Sequence, residues 1–140
     1  MKKSLLLVGF VLLTSFTQTA IAQWSIDTLS SNRYALAAAS TGNVAIFAGG
    51  IGMINQPPPA ADLYYNSANS WGPSSISQGR TYLAGAGTGN KILFGGGATD
   101  NILAVRDRVD IYSTATSNWL PTATLSEGRS HLAAAASGDK

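Results

Sequence analysis

Short apolar runs broken by glycine and small polar residues recur along the whole chain, and two of the runs are near copies. Val44 to Gly50 reads VAIFAGG and Lys91 to Gly97 reads KILFGGG. Runs of this length that stop in glycine predict strands rather than helices, and their unbroken apolar character predicts burial on both faces. The segments ahead of them are ambiguous. Arg33 to Ser40 (RYALAAAS), Arg80 to Gly87 (RTYLAGAG) and Arg129 to Ser137 (RSHLAAAAS) are rich in alanine, the best helix former and a poor strand former. Context decides for strand: Thr41-Gly42-Asn43 and Thr88-Gly89-Asn90 are tight-turn sequences leading straight into the apolar runs, and a hairpin needs a strand on each side. Asp62-Leu63-Tyr64 and Asp110-Ile111-Tyr112 start third strands. After the polar turns Asn66 to Ser70 and Ser113 to Asn118, Trp71 and Trp119 open fourth strands. Gln23 to Ser30 (QWSIDTLS) alternates like an equivalent fourth strand.

These segments keep step with one another. Phe47 and Phe94 lie 47 residues apart, Trp24, Trp71 and Trp119 are spaced by 47 and 48, and Arg33, Arg80 and Arg129 by 47 and 49. Several landmarks sharing a period near 50 residues mean a stacked array of one supersecondary unit. Alanine and glycine in the first strand of each unit then fit an innermost strand, where several sheets converge on an axis and bulky side chains would collide.

A Gly-Gly after an apolar strand, then a Tyr, six residues and a Trp, resembles the kelch repeat of β-propeller proteins. The matching residues are Phe47-Ala48-Gly49-Gly50 with Tyr64 and Trp71, and Phe94-Gly95-Gly96 with Tyr112 and Trp119. The resemblance runs from Gln23 to Lys140 and implies an all-β, kelch-type β-propeller fragment. Its expected parts are two complete four-stranded antiparallel blades at about 33–76 and 80–125, an opening outer strand, and the first strand of a third blade at 129–140. Closed propellers have about 4 to 8 blades, so the expectation is the N-terminal portion of a larger ring.

Composition changes the picture in three places. Lys2 and Lys3 ahead of the apolar run Leu5 to Leu13, with Ala20-Ile21-Ala22 following, read as a secretory signal peptide over 1–22; Thr14, Ser15, Thr17, Gln18 and Thr19 break the run too early for a membrane span. Cleavage after Ala22 removes two of nine Lys and Arg and leaves seven against seven Asp and Glu, so the exported chain is neutral. No basic cluster remains for a phosphate backbone, which argues against nucleic acid as a partner. The absence of cysteine from the sequence excludes disulfides, thiolate metal sites and cysteine nucleophiles. The expected location is secreted or periplasmic.

Candidate chemistry is sparse. Arg33, Arg80 and Arg129 recur in every unit, which argues for a structural role: bonding loop carbonyls or the repeating Asp62 and Asp110. Gly49, Gly50, Gly95 and Gly96 are read as allowing close backbone approach, and Tyr64, Trp71, Tyr112 and Trp119 as packing between blades. His131, the only histidine, occupies the repeat position of Tyr82 and Ala35 and is expected as core or channel lining. No GxSxG, HExxH, EF-hand or P-loop pattern occurs. No cofactor or metal is expected. The units differ most in the loops Ile51 to Ala61 and Ala98 to Arg108, which lie at one end of the sheets, and Asn55, Gln56, Asp100, Asn101, Arg106 and Arg108 are the binding candidates there. The reading is a binding or interaction module for a glycan or protein ligand, with self-association through unpaired blades. The kelch resemblance also admits an exported sugar-modifying enzyme similar to the sialic acid epimerases, whereas a copper oxidase like galactose oxidase needs a cysteine this chain lacks.

Overall fold

A computed structural model describes residues 26–53, 56–100 and 104–138. The segment 1–22, expected as a signal peptide, lies outside them with Gln23, Trp24 and Ser25. Eight strands form two antiparallel sheets. β1 (Tyr34–Thr41), β2 (Val44–Ile51), β3 (Ala60–Tyr65) and β4 (Ser70–Ser75) lie in that order in the first sheet; β5 (Ala84–Thr88), β6 (Lys91–Gly95), β7 (Arg108–Ser113) and β8 (Asn118–Thr124) repeat the order in the second. The alanine-rich segments are therefore strands. Thr41 pairs with Val44 across a two-residue turn in which Gly42 has φ 56°, the positive angle that the first central residue of such a hairpin turn requires. Pairing with the apolar β2 overrides the helical propensity of Ala37–Ala39.

Small side chains on the inner strands have a direct cause. A Cβ on Gly85 would come within 3.1 Å of the Ala39 Cβ, and one on Gly87 would collide with the Ser40 carbonyl. The inner strands of the two sheets thus meet nearly backbone to backbone, which only alanine and glycine permit.

The core lies between the sheets. Ile46, Ala48, Ala61 and Leu63 of the first sheet, with Ile76 and Leu83 of the connection, pack against Ile92, Phe94 and Tyr112 of the second. Ile46, Ile92 and Phe94 are wholly buried, and each such side chain contributes about 1.5–3 kcal/mol. The repeated second strand is not buried on both faces, as its apolar run suggested. In β2 it is Val44, Ile46 and Ala48 that are buried, while Ala45 and Phe47 are half-exposed; in β6 Ile92 and Phe94 are buried and Leu93 is half-exposed. The same pattern buries opposite faces because each sheet has its neighbour on one side among the described residues.

A one-residue difference between the units also has a structural reading. Trp71 to Arg80 is nine residues and Trp119 to Arg129 is ten; the β7–β8 register shifts between Val109 and Ile111, where Ala123 and Leu120 are the successive partners. The extra residue is taken up as a bulge that leaves both ends of the strand in register.

The two flanking segments form no ladder. Ile26–Leu29 are irregular, although Ser30 N donates to Asp62 Oδ1 (3.2 Å) as Ser77 N does to Asp110 Oδ1 (2.8 Å). Residues 132–137 form no strand, yet His131 N donates to the Tyr82 carbonyl (3.0 Å), as Tyr82 N does to that of Ala35 (2.9 Å). Each segment takes its repeat position, but among the described residues no second strand pairs with it, and a strand is defined by its hydrogen-bonded neighbour.

Candidate functional site

The ends of the sheets that carry the β2–β3 and β6–β7 loops are built on a repeated arginine clip. Arg33, 1% exposed at its side chain, pairs with Asp62 at 2.7 Å and donates through Nε to the Gly49 carbonyl at 2.9 Å. Arg80 is wholly buried, pairs with Asp110, and donates from Nη1 to the carbonyls of Gly96 (2.7 Å) and Arg108 (2.6 Å). Burial pushes the Arg80 guanidinium below its usual pKa, against the attraction of Asp110. For Asp62 burial acts upward, but hydrogen bonds from Ser30 and Arg33 outweigh it and hold the carboxyl below its ordinary value. Arg129 differs: its side chain is 49% exposed, and among the described residues its ion-pair partner is Glu127 at 3.9 Å.

The clip also explains the paired glycines. Gly50 N donates to the Arg80 carbonyl (2.9 Å) and Gly97 N to that of Arg129 (2.8 Å), so each unit's loop is stitched to the arginine of the next. A Cβ on Gly49 would strike the Arg80 carbonyl, and one on Gly96 would lie 2.6 Å from that of Arg129. The special pair of the second unit is Gly96–Gly97, both at positive φ; Gly95 is an ordinary strand residue opposite Val109.

The aromatic residues pack first within their own sheets. Trp71 lies 5.7 Å from Phe47 and 5.2 Å from Tyr64, and Trp119 lies 6.4 Å from Phe94 and 5.3 Å from Tyr112, between ring centroids. The second trio is also tied to the first sheet: Trp119 Nε1 donates to Ser74 Oγ at 2.9 Å. Burial, together with the hydrogen bond shared with Tyr65, pushes the Tyr112 hydroxyl up to about 12. The first trio instead borders a groove of about 220 Å³ with Asp27, Ala45 and Asn69.

The loop candidates are dispersed. Asn55 and Asn101 lie outside the described residues. Gln56 is exposed on the first loop. Asp100 Oδ1 accepts the Ala104 amide at 2.8 Å, which closes the second loop on itself. The Arg106 main chain bridges Gly97 and Arg129, leaving its half-exposed guanidinium with a 3.3 Å bond to the adjacent Val105 carbonyl. Arg108 opens β7 with an exposed side chain while its carbonyl accepts from Gly96 N and Arg80. Among the described residues no hydrogen bond joins one of these candidates to another.

A feature that sequence reasoning passed over lies at the same end. His131 is exposed, not core, and its ring stacks on that of Tyr82 with centroids 4.0 Å apart and planes 19° apart. The signal was present in the repeat, since both residues stand two positions after the recurrent arginine. Among the described residues no group of three or more His, Cys, Asp or Glu is placed to hold a metal ion, and no helix is long and apolar enough to cross a membrane.

No protein-family model and no curated protein matches the sequence. Among solved structures, that of YjhT superimposes with a TM-score of 0.67 at 12% identity, over 81% of this chain and 38% of the other. The chain thus spans well under half the length of that neighbour. The architecture is that of a β-propeller, with two four-stranded antiparallel blades present.

Proposed function

We propose that the chain is the blade-bearing part of an exported kelch-type propeller and works as a binding module, with a glycan or protein ligand held at the β2–β3 and β6–β7 loops. One observation carries this reading. The two blades share the clip, the hairpin and the aromatic trio, yet the loops 52–59 and 96–107 differ in length and sequence at one common end. A constant frame with variable loops at one end is the way a scaffold presents recognition residues. Among the described residues Gln56, Arg106 and Arg108 are candidate polar side chains there, and Lys2 and Lys3 ahead of the apolar run Leu5 to Leu13 support export. The test is to probe printed glycan and protein arrays with the chain. Selective binding that weakens in Arg106→Ala is the expected result. Turnover of a bound sugar would replace this reading with that of a sugar-modifying enzyme, and silence on both arrays would overturn it.

A further inference from the structure

Residues 129–138 are a near copy of 33–42, RSHLAAAASG against RYALAAASTG. They also hold the same backbone. His131 and Ala35 both have φ 55°, and Gly138 and Gly42 both have φ 56°. Thr88 Oγ1 donates to the Gly138 carbonyl at 3.2 Å, as Thr41 Oγ1 does to that of Gly89 at 2.7 Å. Residues 33–42 use this conformation to pair β1 with β2 across the Gly42 turn. Among the described residues no strand pairs with 132–137, and Ala133–Ala136 are exposed. The segment holds the position of a strand with its outer hydrogen-bonding edge unpaired among these residues.

An apolar groove of about 300 Å³ lies along it, lined by Leu132 and the alanines at 133–136 together with Leu93, Val109 and Leu125. The repeat shows what fills such a groove. The counterparts Leu83, Ile46, Ala61 and Ile76 are all buried, in one cluster with Ile92 and Phe94 of β6. β6 runs antiparallel to β5, with Lys91 opposite Thr88 and Gly95 opposite Ala84. The groove is therefore that core without its second strand. A charge stands at one end of it. Arg33 Nε and Arg80 Nη1 donate to the carbonyls of Gly49 and Gly96, in the glycine pairs after the repeated apolar runs, and each arginine also holds an aspartate. Arg129 has the same repeat position, but its side chain is 49% exposed and its ion-pair partner among the described residues is Glu127 at 3.9 Å.

We propose that this groove and Arg129 bind the C-terminal tail of a partner protein, an extended segment with apolar side chains at two alternate positions and glycine at its end. The tail adds antiparallel to 132–137, and its main chain pairs with the unpaired edge. Its two apolar side chains enter the groove as Ile92 and Phe94 enter the core of the preceding unit. The register of β5 with β6 then puts the terminal residue opposite Leu132, where its carboxylate meets the Arg129 guanidinium. One carboxylate supplies both the acceptor and the counter-charge that Arg80 draws separately from Gly96 and Asp110. A second copy of this chain is a poor occupant, since its β2 and β6 are each paired on both edges. The site lies beyond the loop-held ligand of the proposed function and does not depend on it.

Fluorescence anisotropy tests this on the full chain, with fluorescein-labelled KILFGG as the probe, the sequence of Lys91–Gly96 ended in a free carboxylate. Saturable binding is expected. Amidating the peptide terminus, replacing its two apolar side chains (KALAGG), and Arg129→Gln in the chain should each weaken it about tenfold. Amidation should cost Arg129→Gln nothing further, because both changes remove one contact. An unchanged circular dichroism spectrum shows that the variant folds, and the peptide comparisons need no variant. Equal affinity for acid and amide, or for wild type and Arg129→Gln, overturns the carboxylate site, and KALAGG bound as well as KILFGG overturns the groove. No saturable binding, or a chain that sediments as a dimer the peptide does not dissociate, overturns the proposal as a whole.

Discussion

At the scale of single residues, the arginine clip dominates. Arg80 has lost all contact with water and is balanced by Asp110 and by two main-chain carbonyls. A buried pair of this kind is weak support for stability by itself, but removing one member strands the other. Asp110→Ala is therefore expected to destabilise the fold by about 3–5 kcal/mol, measured as the shift in urea unfolding, because it leaves the guanidinium buried without a counter-charge. The matching change at the exposed Arg129–Glu127 contact, Glu127→Ala, is expected to cost under about 0.5 kcal/mol. Equal effects at the two sites would show that burial does not set the weight of the clip. The recurrence of Arg33, Arg80 and Arg129 with Asp62 and Asp110 was legible in the sequence. That the third arginine stands open was not, because its exposure depends on the surroundings of that unit and not on its own residues.

At the scale of elements, the inner strands show how tertiary contact sets local composition. Gly87 faces the backbone of Ser40 in the neighbouring blade, whereas Ala38 on β1 is exposed. Valine favours strands at both positions by propensity. Gly87→Val is nonetheless expected to cost about 1–3 kcal/mol or more, since the added atoms must push two inner strands apart, while Ala38→Val is expected to stay within about 0.5 kcal/mol of wild type. Thermal unfolding of the two variants checks this, and a neutral Gly87→Val would mean that the blades can separate at the axis without loss. The glycines of β5 thus mark close passage of two strands, and the turn glycine at 42 marks a backbone angle. Both read as "Gly" in the sequence, and only the structure separates the two reasons.

At the scale of the whole molecule, the two blades expose unlike faces. Phe94 and Tyr112 are 0% and 2% exposed against the first blade, but their counterparts Phe47 and Tyr64, with Trp71, are only half-buried. On the far side of the second blade, Leu93, Val109 and Leu125 line a groove of about 300 Å³ with the alanines at 133–136. Apolar surface and sheet edges of this kind invite association. Residues 23–140 are accordingly expected to sediment as a concentration-dependent mixture, and Trp71→Arg, by placing a charge on the first face, to shift the mixture toward monomer. A monomer with a single cooperative transition and a stability above about 5 kcal/mol, ordinary for a complete domain, would refute this.

The sequence by itself determined the period, the eight strands, their hairpin order and the all-β class. These follow from local signals: apolar runs of strand length, turn glycines after Thr41 and Thr88, and landmarks repeated at nearly constant spacing. Only the tertiary structure decided which face of each repeated strand is buried. Phe47 and Phe94 are the same residue in the same motif, yet one lies half in solvent and the other is sealed, because burial belongs to the pair of sheets and not to the strand. The candidate site divides in the same way. Its variable loops could be found by comparing the units, but the stack of Tyr82 on His131 joins residues 49 apart in the chain, and no local pattern records how far apart two blades stand.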